Sequence, residues 1–291
     1  GNTPAPTDST SAPVTPAGGP APAPPSCKRI RKPWHLLTGA ERLLYINGFK
    51  ELWRNGKIQA FSAVHASSDT PHGDKKFLSW HRHYLYEFES QFRALGGDWA
   101  CFGLPYWDWV SEKLDTNGPV KDMYIFNSGL GDYGSGNNYC VGGSSNEGDG
   151  IGNDHFSVNG GGYTADGYCL RRDACSLDSC YWPGSDHGHL MGELNARDTF
   201  SAYRSPLETS AHNYAHMKVA GSGSSQIGSV AEAAYDPIFY MLHNFVDFQF
   251  ALWQDCNGFE QVTANSPSFT DAMYPSDGRH IAMQFDILGT G

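Results

Sequence analysis

Basic side chains are scarce in this chain: 20 Lys and Arg face 31 Asp and Glu over 291 residues, a formal net charge of −11. Nucleic-acid binding needs clustered cations against phosphate, and an anionic membrane surface needs the same, so neither partner is expected. No run of about 18 apolar residues occurs, which excludes a membrane-spanning helix of ordinary length. Cys-x-x-Cys is absent, removing the usual zinc and thiol-redox spacings. Glu-x-x-His is absent as well, which disfavours a di-iron bundle. Neither an Asn-x-Ser/Thr acceptor with a permitted middle residue nor an internal repeat is found.

What the chain does have is rings and histidines: 16 Phe, 15 Tyr, 8 Trp and 12 His. Its length can bury one sizeable core. Residues 1–26 hold eight Pro and seven Ser or Thr with little that is large and apolar, so they are expected to be a disordered or extended leader. Residues 27–291 are read as a single domain. Seven cysteines (Cys27, Cys101, Cys140, Cys169, Cys175, Cys180 and Cys256) lie mostly in Gly-rich or loop-like sequence. They point to disulfides in an oxidising, extracellular setting. The odd count leaves one thiol, and Cys101, beside Trp99 and Phe102, is expected to be the buried free one. The start at Gly1 without Met is expected of a mature or trimmed product.

Hydrophobic periodicity makes the fold mainly α. Thr38-Gly39-Ala40-Glu41 is a capping box followed by Leu43, Ile46, Phe49 and Trp53 at helical spacing, ending near Asn55-Gly56. A second segment runs from Ile58 to about His65. Pro71 and Gly73 place His72 on a loop. Phe77, His81, Tyr84, Leu85, Phe88 and Phe92 then share one helix face, with His81 on its buried stripe. Residues from about 115 to 200 are loop-like, with four cysteines as staples. Asp236-Pro237 caps and opens a helix carrying Phe239, His243, Val246, Phe250 and Trp253. Short strands are expected near Ile281–Ile287.

His212 and His216 stand four apart, so on a helix both imidazoles leave one face. Chance alone produces roughly half of one such pair among 12 His in 291 residues, so the pair by itself decides little. His243 adds weight. It lies on a buried stripe, and Asp247 one turn later can accept a second ring N–H from it or from a neighbouring ligand. Each half of the chain thus supplies three histidines: His65, His72 and His81, then His212, His216 and His243. Two helical elements from each half could form a four-helix bundle with metal between them. All-imidazole ligation suits copper or zinc over magnesium, calcium or di-iron. The remaining histidines, His35, His83, His155, His187, His189 and His280, read as isolated or solvated.

His-Gly-x-x-x-Phe-Leu-x-Trp-His-Arg from His72, Leu-Pro-Tyr-Trp-Asp-Trp from Leu104, His-Asn-x-x-His from His212 and Asp-Pro-Ile-Phe-x-x-x-His-x-x-x-Asp from Asp236 follow one another in a recognisable order. In that order the chain resembles the tyrosinase and catechol oxidase family over about residues 30–255, most closely its short fungal-type members. The resemblance implies two copper ions, CuA on His65, His72 and His81 and CuB on His212, His216 and His243, with O₂ as co-substrate. It implies oxidation of small o-diphenols to o-quinones. Glu208 and Asn213 stand where the family is thought to hold a water that deprotonates a monophenol, which implies some ortho-hydroxylation too. As local chemistry, Glu208 is equally a first-turn acid favoured by the helix dipole.

The chain departs from the family in two places. Thr70 stands two residues before His72, where many relatives carry a thioether-forming Cys, and Leu242 immediately precedes His243, where His-His is common. It also ends soon after Cys256, so an open or processed form without a shielding C-terminal domain is expected. Two other functions fit the same ligands: a hemocyanin-like O₂ carrier, whose copper pair is blocked by an inserted side chain, and a zinc-loaded protein. The Gly/Ser-rich loop 221–228, with no covering domain, favours the oxidase. Met217 and Val230, beside the CuB motifs, are candidates for restricting the mouth.

Overall fold

The computed structural model describes residues 29–67, 72–116, 123–127, 191–194, 196–220 and 225–257. The leader, Thr70, most of the expected 115–200 loop, residues 221–224, the expected 281–287 strands and His155, His187, His189 and His280 lie outside the described residues. What is described is almost entirely helical. Among the described residues the extended structure is an isolated bridge between Pro33 and Tyr106.

Helix α1 (Gly39–Arg54) starts where the capping box predicts: Thr38 Oγ1 accepts from Glu41 N–H, and Glu41 returns a carboxylate oxygen to Thr38 N–H. Gly56, at φ 71°, turns the chain into α2 (Lys57–His65). Only glycine takes that left-handed conformation without steric cost. α3 (Phe77–Ala94) follows the His72 loop. Short helices α4 (Trp109–Thr116), α5 (Tyr124–Asn127) and α6 (Phe200–Pro206) flank the second half.

Pro206 closes α6 and lacks the N–H that an α-helix would use at that position. The chain continues as a wider π turn over Leu207–His212, then resumes as α7 (Asn213–Ala220). α8 (Pro237–Asn257) is opened by Asp236, whose Oδ1 accepts from Ile238 N–H at 2.9 Å.

The core lies between α3 and α8, with α1 packed outside them. Phe88 and Tyr240 stack at 3.5 Å, and Phe49, Tyr45 and Phe92 continue the ring cluster. α1 approaches α3 closely at Gly48, where a Cβ would sit 2.5 Å from Phe92 and 2.7 Å from Trp99. The Leu104–Trp109 segment is pinned to α8. Asn244 Nδ2 donates to the Leu104 and Pro105 carbonyls at 2.8 and 3.1 Å, and Trp107 N–H donates to the Met241 carbonyl at 3.0 Å. The four elements facing inward are α2, α3, the Leu207–Ala220 helix and α8, the bundle expected from the two histidine sets.

One cysteine expectation is overturned. Cys101 ends a 3₁₀ turn, is half-buried and is disulfide-bonded; its partner lies outside the described residues. The free thiol among the described residues is the exposed Cys256. Neighbouring Trp and Phe residues suggested burial, but the 3₁₀ turn leaves the Cys101 side chain at the periphery, where a partner can reach it.

Candidate metal centre

Each bundle element contributes histidine to one point. His65 ends α2, His81 lies one turn into α3, His212 and His216 lie on the π turn and α7, and His243 is on the second turn of α8. His72 comes from the loop, half-buried. His65, His72 and His81 offer ring nitrogens within 4.8 Å of one another, and so do His212, His216 and His243. In the first set the ring centroids are 5.2, 5.3 and 5.6 Å apart; in the second they are 4.5, 4.8 and 5.3 Å apart.

Backbone carbonyls fix the tautomers. His65 Nδ1 lies 2.7 Å from the Val230 carbonyl, His81 Nδ1 2.8 Å from that of Phe77, and His216 Nδ1 2.7 Å from that of Ile227. A carbonyl only accepts, so the proton is on Nδ1 and the Nε2 lone pair is left for the centre. His212 Nδ1 likewise faces the Glu208 carbonyl at 3.2 Å and Asn213 Oδ1 at 3.0 Å.

His212 Nε2 and His216 Nε2 therefore both aim lone pairs at His243 Nε2, at 3.3 and 3.2 Å. One proton on His243 Nε2 could satisfy at most one of these two contacts; a cation can accept the lone pairs of all three nitrogens. Metal–nitrogen bonds of about 2.0–2.1 Å at tetrahedral angles separate two ligand nitrogens by roughly 3.3–3.4 Å. His81 Nε2 is buried without a hydrogen-bond partner among the described residues. Both sets fit a metal.

Burial holds the imidazoles neutral, as ligands must be. Desolvation pushes His65 down to about 3 and His216 to about 4, and carries His81, His212 and His243 well below the usual imidazole range. His72 is lowered by the same cause. Phe77 and Phe239, both fully buried, wall the centre: Phe77 touches His81 and His212, and Phe239 touches His65 and His243.

Asp247 does not serve the expected role. Its carboxylate pairs with Arg82 on α3 and Arg31 near the start of the described chain, so no oxygen is turned to His243. His243 Nδ1 is buried with no hydrogen-bond partner among the described residues. The i,i+4 spacing put Asp247 on the right face; two arginines from distant segments took the carboxylate.

Glu208 is buried and accepts from Gly73 N–H, one residue beyond His72, and from Arg204 one turn earlier. Burial outweighs both partners and raises its pKa. Asn213 is exposed in the mouth. That mouth is an open cavity of about 180 Å³ reached by His65, His72, His212 and His216, with Met217 and Val230 on its rim. Met217 is 56% exposed and Val230 55%, as expected of residues at an entrance. Of the isolated histidines, His83 sits on the surface beside Glu87. Sequence reasoning missed Arg204, which its i,i+4 spacing to Glu208 could have flagged. It also missed the Ile227 and Val230 carbonyls, for which no side-chain signal exists.

A helical bundle that sets two three-imidazole clusters together beneath one mouth defines a dinuclear metal protein with nitrogen-only ligation. The family model described as the common central domain of tyrosinase matches residues 53–256, and the chain belongs to the tyrosinase family of type 3 copper proteins, which bind two copper ions. A tyrosinase of Streptomyces antibioticus is 25% identical over 249 residues, covering 77% of this chain and 82% of that protein. Hemocyanin 1 of Megathura crenulata is 28% identical over 243 residues, but the chain spans only 6% of its length. In fold, the chain resembles a polyphenol oxidase variant from Thermothelomyces thermophila (TM-score 0.57, 21% identity, 85% of this chain and 76% of that one). It also resembles a functional unit of octopus hemocyanin (TM-score 0.57, 18% identity, 81% and 55%).

Proposed function

We propose that this chain is a secreted dicopper oxidase that uses O₂ to convert o-diphenols to o-quinones and also ortho-hydroxylates monophenols. The supporting observation is that both histidine sets reach one open mouth, so a small phenol can approach the pair from solvent. In this reading His65, His72 and His81 hold one copper and His212, His216 and His243 the other. Bound copper would take electrons from the phenol and deliver them to O₂, two catechols becoming two o-quinones as one O₂ becomes two waters.

The chain's own groups do the rest. Six neutral imidazoles hold the metals without adding charge. Phe77 and Phe239 keep water from the inner side. Met217 and Val230 offer apolar contact to a flat ring. Glu208 and Asn213 are assigned the phenol proton through a water between them. After Gly73 and Arg204, the Glu208 carboxylate retains lone pairs for such a water. The Cys101 disulfide supports an oxidising, extracellular setting.

The second reading, a hemocyanin-like O₂ carrier, is favoured by the hemocyanin relatives and opposed by the exposed rim. Metal analysis of the copper-loaded chain, with oxygen uptake and quinone formation on a catechol and a monophenol in parallel, tests the proposal. Two coppers per chain and quinone from both substrates are expected. Two coppers with reversible O₂ binding and no quinone would establish the carrier.

A further inference from the structure

We infer that the short segment 226–230 is a strap whose backbone positions both metal sites at once. This inference rests on the dicopper reading above. The His65 Nδ1–H, from the first triad, donates to Val230; the His216 Nδ1–H, from the second, donates to Ile227. Both bonds are 2.7 Å long. The two acceptors are three residues apart, whereas the two histidines come from α2 and α7. His81, by contrast, is satisfied by Phe77 of its own helix.

The segment is stiff enough to act as one body. Gly228 N–H donates to Ser225, Ser229 N–H to Gln226, and Ala233 N–H to Ser229, at 3.3, 2.9 and 2.8 Å. A displacement at residue 228 therefore carries both acceptor carbonyls. The strap rests on α7 at one tight point: a Cβ on Gly228 would lie 2.8 Å from the Ala220 methyl. The φ of Gly228 is outside the left-handed region, so that methyl is the obstacle to alanine. Ala220 is four residues beyond His216 on the same helix. Gly228 thus sets the spacing between the strap and the helix it serves.

Partners of this kind fix the ring plane and tautomer of a ligand, and losing one typically costs 10–100-fold in metal affinity. Here a single small shift loosens one imidazole in each triad, so both sites should weaken together. Ile227, Gly228 and Val230 also line the mouth, so the strap places its wall as well.

The test compares wild type, Gly228→Ala and Ala220→Gly/Gly228→Ala. In the metal-free, ¹⁵N-labelled chain, the Nδ1–H signals of His65 and His216 should shift together in Gly228→Ala, while that of His81 stays. In the copper-loaded chain, removal of both coppers by a chelator should quicken by 10–100-fold. Ala220→Gly, which makes room for the new methyl, should restore both readouts. Movement of only one histidine signal, loss of one copper alone, movement of His81 as well, or failure of the double variant to recover would each overturn the strap. A wild type that binds fewer than two coppers would instead overturn the proposed function, because the imidazole signals read the strap without metal.

Discussion

The imidazoles of His81 and His243 lie face to face, centroids 4.3 Å apart and planes within 7°. One belongs to each triad, and they come from α3 and α8, the two helices that share the main core. The packing of Phe88 on Tyr240 along the same helix pair therefore sets the separation of the two sites. A rigid aromatic interface fixes a distance that two flexible loops could not.

Replacing His243 with Ala should leave about one copper per chain and abolish catechol oxidation. His212 Nε2 and His216 Nε2 converge on His243 Nε2, so the second site loses one of three ligands while His65, His72 and His81 remain. Metal analysis and quinone absorbance check this, and retention of two coppers would contradict the ligand assignment.

Glu208 carries two duties that substitutions separate. Glu208→Gln keeps an acceptor for Gly73 and loses the carboxylate, so catechol oxidation should be nearly unchanged. Monophenol hydroxylation should fall by roughly 10²-fold, within the usual worth of a positioned base. Glu208→Ala frees the His72 loop and should lower both rates. Parallel steady-state assays decide; equal loss of both activities in the Gln variant would refute the proton role.

Asp247→Ala should destabilise the fold by roughly 3–5 kcal/mol, because it leaves the buried Arg82 guanidinium with Gln254 but no carboxylate and removes one of the two carboxylates of Arg31, which keeps Glu89. Denaturant unfolding of the metal-free chain measures this directly. A loss within experimental error would show that the arginines find other partners.

The metal-free chain should lose stability as pH falls below about 6.5, the unfolded imidazole value. The folded His65 is held down to about 3 and the other triad members are also lowered, so the unfolded chain takes up protons that the folded chain refuses. Each strongly shifted imidazole contributes roughly 1.4 kcal/mol per pH unit in that window, and the contribution is complete above it. Thermal unfolding at pH 7, 6 and 5 should show a falling midpoint; a flat profile would place the histidines in water.

Local patterns in the sequence determined the helices and the six histidines. The Thr38 capping box, the Asp236-Pro237 start and the stripe through His81 are all set within a few residues, where the helix period and capping chemistry act. Partnerships across the chain were decided only by the tertiary structure. The Asp247 carboxylate was on the correct face, yet Arg31 and Arg82 claimed it from 216 and 165 residues away. Cys101 sat among rings in sequence and is disulfide-bonded in space. The acceptors for His65 and His216 are main-chain carbonyls, which every residue carries and no sequence pattern marks. Side-chain identity fixes which atoms can bind a metal; the contacts that fix their tautomer and direction are made through space.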